Sequence, residues 1–232
     1  MDYETKLVFQ VGLLLLPIFV VALRVLAILP SVGLGSSNKD LKSISDITSG
    51  TGSSIMVLLG SGGHTGEMMR ILSNVDLSSV RRTWVVSSGD SSSLVRAKEF
   101  EDKYQQNGKT CKSSEYLTLY RARKVGESLL SSLNSTVRSF VDTVNQLRKL
   151  PELPSVLLLN GPGTSVPLAY ILFGMKFFGL CNTRIIYIES LARVNKLSLS
   201  GLLLLPISDR FIVQWEQLYH KYKRAEYYGI LI

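Results

Sequence analysis

Apolar positions follow two regimes along this chain. From Leu7 to Leu29 they are nearly continuous, LVFQVGLLLLPIFVVALRVLAIL, interrupted by Gln10, Pro17 and Arg24. A run of that length is what a helix needs to cross the hydrocarbon of a bilayer. Beyond the first fifty residues they come in short β-branched bursts: Ile55 to Leu59, Thr83 to Ser87, Tyr116 to Leu119, Val156 to Leu159, Arg184 to Ile188 and Phe211 to Gln214. The bursts start about 28 to 40 residues apart, the length of a strand plus a returning helix, which predicts βαβ units. Between them, Leu94 to Gln106 is charged and amphipathic, Ser128 to Leu150 is long and periodic, and Leu168 to Leu180 is strongly apolar. Each is expected to be helical, and Leu168 to Leu180, too short to span a bilayer, either covers the sheet as a core helix, the favoured reading, or dips an aromatic face into the membrane interface. The predicted fold is α/β, an open parallel sheet with helices on both faces, preceded by one transmembrane helix.

The flanks of the first apolar run set its role. Asp2 and Glu4 accompany Lys6 where a cleaved signal would carry a basic region, and the run is longer than a signal core. Arg24, Lys39 and Lys42 place the basic excess downstream, so the C-terminal side is expected in the cytosol. Asn134-Ser135-Thr136, a glycosylation acceptor sequence, is then expected to stay unmodified. Ser31 to Ser54 is rich in Ser, Gly and Thr without periodicity and reads as a flexible linker. The expected organisation is an anchor over 1–30, a linker over 31–54 and one domain over 55–232.

Composition narrows the partners. A net charge of +8 arises from Lys and Arg scattered along the chain, a pattern suited to an anionic surface or a phosphate-bearing ligand. No nucleic-acid-binding motif spacing accompanies it, so no nucleic acid is expected as a partner. Cys111 and Cys181 lack the spacing of a disulfide framework or a zinc site, and no metal is expected.

Polar motifs follow the predicted strands. Gly60-Ser61-Gly62-Gly63-His64-Thr65-Gly66 follows the first, Ser88-Gly89-Asp90 the second and Tyr120-Arg121-Ala122-Arg123 the third; Asn160-Gly161-Pro162-Gly163-Thr164-Ser165 and Glu189-Ser190-Leu191-Ala192-Arg193 follow the fourth and fifth. In an open α/β sheet these positions share the carboxyl edge, where ligands bind. Glycines between strand and helix let amides approach an anion, and the helix dipole favours it. The first loop lacks the Lys of a P-loop and the third glycine of the dinucleotide fingerprint, and no acid directly ends the second strand. Either it cradles phosphate or it is a tight turn. His64 either exchanges a proton with a sugar hydroxyl or diphosphate, or locks the loop. Glu67 reads as compensating the helix dipole. Thr164 and Ser165 cap a helix or bind a ligand; Arg121 and Arg123 hold a diphosphate or simply end a strand in solvent. Glu189 and Arg193 are spaced for an i,i+4 pair, with Glu189 also placed to bind a sugar hydroxyl. The apolar terminus, with Tyr228, Ile230, Leu231 and Ile232, either docks on its own domain or offers anchors to a partner.

With LLGSGGHTGEM, LNGPGTSVPLAYI, YIESLARV, LSLSG and DRFIVQW in this order, the sequence resembles the membrane-anchor subunits of eukaryotic UDP-N-acetylglucosamine transferases acting on dolichol-linked precursors. The resemblance covers nearly all of Ser54 to Ile232 plus the anchor. It implies the Rossmann-like, acceptor-side N-terminal half of a split GT-B enzyme similar to MurG, with a separate soluble subunit binding the UDP-GlcNAc. The implied reaction adds a second GlcNAc to GlcNAc-diphosphate-dolichol on the cytosolic face of the endoplasmic reticulum, without a redox cofactor. The resemblance carries Ser61, Gly62, Gly63, Thr65 and Gly66, with Asn160, Gly161, Gly163, Thr164, Glu189 and Arg193, to the acceptor side of the cleft. It makes His64 the candidate base and gives Tyr228, Ile230, Leu231 and Ile232 to the partner. Where relatives commonly carry Lys after the glycine of the LSLSG motif, this chain has Leu202.

Overall fold

A computed structural model of the chain describes residues 3–30, 54–106, 114–122 and 132–232. Almost all of the predicted linker, together with Lys39, Lys42, Cys111 and Arg123, lies outside the described residues. Helix α1, Tyr3–Ile28, is continuous through Pro17 and exposes its apolar side chains on all sides, as a helix meant for lipid must. Within it, Phe9–Ile28 is long and apolar enough to cross a membrane.

The domain is built on seven parallel strands in the order β3-β2-β1-β4-β5-β6-β7. They are β1 (Ser54–Leu59), β2 (Arg81–Ser87), β3 (Ser114–Leu119), β4 (Val156–Asn160), β5 (Arg184–Ile188), β6 (Arg210–Val213) and β7 (Glu226–Tyr227). Six match the predicted bursts. The two-residue β7 escapes a hydrophobic-period reading, because Glu226 and Tyr227 carry no apolar repeat; an ion pair from Arg210 to Glu226 joins it to β6. Between the strands described lie α2 (Gly63–Ser73), α3 (Ser91–Gln106), α4 (Ser132–Leu147), α5 (Ser165–Phe177), α6 (Leu199–Leu204) and α7 (Glu216–Lys221).

The pleat sorts the core. Met56, Leu58, Leu157 and Leu159 face one layer with Leu168, Ala169 and Leu172 of α5, while Ile55, Val57, Val156 and Leu158 face the other with Met68 and Leu72 of α2 and Ala97 of α3. Central strands buried on both faces read as continuous apolar runs, as IMVLL of β1 and VLLL of β4 do. Strand order reverses between β1 and β4, and the crevice beyond their carboxyl ends is where a doubly wound sheet binds ligands.

The β2–α3 side holds a buried ion pair that sequence pattern did not reveal. Arg82 donates Nε and Nη2 to Glu101 at 2.7 and 2.8 Å and Nη1 to the carbonyls of Leu77 and Val80. Trp84 Nε1 donates to the same carboxylate at 2.6 Å. Both charges are almost fully enclosed, so the donors and acceptors around them offset the desolvation each carries.

Candidate functional site

The loop after β1 turns at Gly62, whose φ of 64° suits glycine, and enters α2 without a side-chain cap. The first amides of α2 are therefore presented at the crevice with the positive end of the helix dipole. Across from it, the loop after β4 turns at Gly161 with φ of 69° and enters α5, where Thr164 again makes no side-chain cap bond. His64 lies between the two loops. Its Nδ1 is 2.8 Å from Asn160 Oδ1 at the end of β4. With the amide oxygen accepting from Nδ1–H, Nε2 keeps its lone pair and is free to accept a proton. A Cβ on Gly161 would fall 2.3 Å from His64 Cε1, and one on Gly60 would fall 2.8 Å from His64 Cβ. Gly161 is thus favoured both by its turn and by the packing of the imidazole, Gly60 by that packing alone.

Asn160 is fully buried, and its Nδ2 has no hydrogen-bond partner among the described residues. An unsatisfied buried amide is costly, and in a crevice it marks a place for a ligand acceptor atom.

The crevice opens into a cleft of about 790 Å³ lined by Gly62, Gly63, His64 and Gly66, by Arg70 and Arg96, and by Ser190 to Ala192, Trp215 and Ile232. Arg96 comes from α3 and lies over the first turn of α2, its Nη1 within 3.3 Å of where a Cβ on Gly66 would sit. The cleft thus combines amide donors, two guanidinium groups and an oriented imidazole, the chemistry suited to an anionic ligand such as a diphosphate and to proton exchange with a neighbouring hydroxyl.

Several predicted residues have other uses. Thr65 is buried; its hydroxyl bonds the Gly60 carbonyl and Ser93 Oγ, joining α2 to α3. Thr164 is buried with its hydroxyl 3.0 Å from Ser87 Oγ, and Ser165 donates to the Pro162 carbonyl, so neither hydroxyl caps the helix. Glu189 is fully enclosed: its carboxylate accepts Ser190 N–H at 3.0 Å, Ser198 N–H at 2.9 Å and the Ser198 hydroxyl at 3.1 Å. It locks the β5–α6 loop rather than facing the cleft. Burial pushes this carboxyl above the usual glutamate range, against the pull of the Ser198 and Ser190 donors and of Arg193. The segment from Glu189 to Arg193 is not helical, so the i,i+4 geometry does not form, and Arg193 is exposed.

Glu67, read from sequence as a dipole compensator, is instead a buried junction. It accepts Leu191 N–H at 2.9 Å, the Ser190 hydroxyl at 3.2 Å and Gln214 Nε2. Gln214 Oε1 in turn accepts Leu231 N–H at 3.3 Å, and Leu231 packs on the core around Ile55. Leu231 therefore docks on its own domain, Ile232 lines the cleft, and Tyr228 and Ile230 remain exposed. Arg70 was findable one turn after the glycine loop; Arg96 and Trp215 reach the cleft only through tertiary packing, with Gln214 buried behind it.

With the site in view, its relatives can be compared. The family model described as oligosaccharide biosynthesis protein Alg14 like matches residues 55–231. The "UDP-N-acetylglucosamine transferase subunit ALG14" of Debaryomyces hansenii is 61% identical, and that of Candida albicans 54% identical, each over the full length of both chains. The rat protein of the same name is 34% identical over 77% of this chain and 82% of its own. In fold, the crystal structure of Acinetobacter baumannii MurG superposes with a TM-score of 0.50 at 10% identity, over 77% of this chain and 45% of MurG.

Proposed function

The chain belongs to the Alg14-like family of oligosaccharide biosynthesis proteins, and from that membership we propose that it is the membrane-anchored, acceptor-side subunit of a UDP-N-acetylglucosamine transferase. The reaction is addition of the second GlcNAc to GlcNAc-diphosphate-dolichol at the cytosolic face of the endoplasmic reticulum, within protein N-glycosylation. A separate soluble subunit binds the UDP-sugar, and this chain alone is inactive. Residues 1–30 anchor, 31–54 link, and 55–232 form the acceptor domain.

The observation that carries this reading is the crevice between β1 and β4, with the uncapped N-terminus of α2, the His64–Asn160 pair and an Asn160 Nδ2 that has no partner among the described residues. The amides of α2 with Arg70 and Arg96 hold the acceptor diphosphate. His64 Nε2 takes the proton from the acceptor hydroxyl as its oxygen attacks the sugar carbon and UDP leaves. A dinucleotide reading is less well supported. Asp90, three residues past β2, is buried and holds the start of α3 through Ser92 and Ser93 rather than ending β2 as an open ribose ligand would. Exposed Tyr228 and Ile230 are available to the soluble subunit.

The test is GlcNAc transfer to a short-chain GlcNAc-diphosphate-lipid by this chain, by the soluble subunit and by the mixture. Activity only in the mixture is expected. Activity of the soluble subunit alone would reduce this chain to an anchor, and activity of this chain alone would refute the divided site.

A further inference from the structure

The two helical layers of the domain expose very different surfaces. On the layer of α2 and α3, the large apolar side chain left in solvent is Val95. On the opposite layer, Leu133, Val137 and Val141 form a stripe at i, i+4, i+8 along α4. Leu199, Leu202 and Leu203 do the same on α6, whose backbone is tied to α5 by a 2.9 Å bond from the Tyr170 hydroxyl to the Leu203 carbonyl. Just past α5, Phe178 is 75% exposed, the most exposed large apolar residue outside any contact with the core. Patches of this kind on one side of a domain mark an interaction surface.

The anchor identifies what covers it. Arg24 of α1 donates Nε to the Phe177 carbonyl at 3.0 Å and Nη2 to the Lys176 carbonyl at 3.2 Å, capping the C-terminus of α5. The apolar span runs Phe9–Ile28, and Arg24 sits four residues before its end, about 6 Å inside at 1.5 Å per residue. A long cationic side chain at that position reaches out of the hydrocarbon to the interface, which is where its carbonyl partners must lie. The end of α5 is held there, with Phe178 beside it. Since α5 runs back from the carboxyl edge of the sheet to the amino edge, the apolar face extends from the anchor toward the edge that carries the cleft.

We propose that the α4–α5–α6 face rests on the bilayer surface, with Phe178, the α6 leucines and the α4 stripe inserted among the lipid headgroups and upper acyl chains, so that the domain is held in one orientation rather than tethered. The proposal stands on the anchor contact and the distribution of apolar side chains, independently of the reaction assigned above.

The test uses the full chain in phosphatidylcholine vesicles. Single tryptophans replace exposed apolar residues, F178W, L202W, V137W and, on the opposite layer, V95W, and quenching by lipid brominated along the acyl chain is read against the parent. Quenching at Phe178, Leu202 and Val137 about twofold or more above that at Val95 is expected. Equal quenching at all four positions overturns the proposal, and quenching at Phe178 alone overturns it by confining lipid contact to the rim of the anchor. Hydroxyl-radical footprinting of the unmodified chain in the same vesicles needs no variant. Leu202 and Val137 should be labelled several-fold less than Val95; labelling that falls only as protein concentration rises would assign the face to a second copy and refute the bilayer.

Discussion

Helices entering from the carboxyl edge of this sheet begin in two ways. Beside the switch point, α2 starts behind Gly62 and α5 behind Thr164, each without a side-chain cap. Farther out, α3 is closed by Asp90, which accepts Ser93 N–H at 3.1 Å and the hydroxyls of Ser92 and Ser93, and α6 is closed by Ser198, which accepts Gly201 N–H at 2.9 Å. A missing cap forfeits about 1 kcal/mol of local stability. At α2 the omission leaves first-turn amides facing the crevice that the topology provides, whereas at α5 the Ser165 and Val166 amides already bond the Pro162 and Gly163 carbonyls and Pro167 has none. Of the flanking helices, α3 and α6 are sealed, whereas the short α7 starts behind Trp215 without a side-chain cap.

Removing the imidazole from the open corner gives the largest expected effect. His64→Ala should lower turnover of the assembled transferase about 10²- to 10⁴-fold, the range for a positioned general base, while the thermal midpoint and partner binding stay near the parent's. If the variant loses stability with turnover intact, the open termini are only tight turns and the contrast carries no function. On the sealed side the expectation reverses. Glu101→Ala strands Arg82 without its carboxylate and should cost about 3–5 kcal/mol in urea unfolding, with acceptor KM unchanged in whatever protein remains folded.

How much of this contrast could be read beforehand depends on its range along the chain. The glycine loops, the six main strands and His64 are written locally: a glycine where φ must be positive, and an apolar run where a strand is buried on both faces. The orientation of each loop side chain is not local. Thr65, Thr164 and Glu189 have the right chemistry in the right loops, yet each turns inward, because Ser93, Ser87 and Ser198 are brought to them by other elements. The same holds for Arg96, which enters from α3, and for Glu67, whose partners lie 123 to 147 residues away. Charge and spacing pointed to the carboxyl-edge loops; packing decided which of their residues face the cleft.

The comparison can be sharpened by closing the open terminus. Nothing lies within 4 Å of a Cβ placed on Gly63, so Gly63→Asp fits without displacement. Replacing a helical glycine and adding a negative charge at the N-terminus should raise stability by about 0.5–1 kcal/mol. The same charge competes with a diphosphate for the same amides, so acceptor KM should rise about tenfold, equivalent to about 1.4 kcal/mol. A gain in stability without a change in KM would place the acceptor elsewhere.

The smallest effect belongs to the sealed terminus and is visible in its pH dependence. Burial pushes the Asp90 carboxyl up, but the Ser93 and Ser92 donors and Arg121 outweigh it and hold the group below the usual aspartate value. A carboxyl whose folded pKa is lowered binds its proton more tightly in the unfolded chain, so its contribution is complete above about pH 4 and is lost as pH falls through the folded value. Asp90→Asn keeps an acceptor for Ser93 N–H and removes the charge. It should cost about 0.5–1 kcal/mol at pH 7, and the difference from the parent should close below about pH 4 as the parent's own carboxyl is protonated. Thermal midpoints of the two chains across that range measure it, with turnover at neutral pH expected to be equal. A gap that persists in acid would mean that Asp90 acts by shape rather than charge. Loss of turnover in Asp90→Asn would show that the seal on α3, through Ser93 and Thr65, is part of the open corner after all.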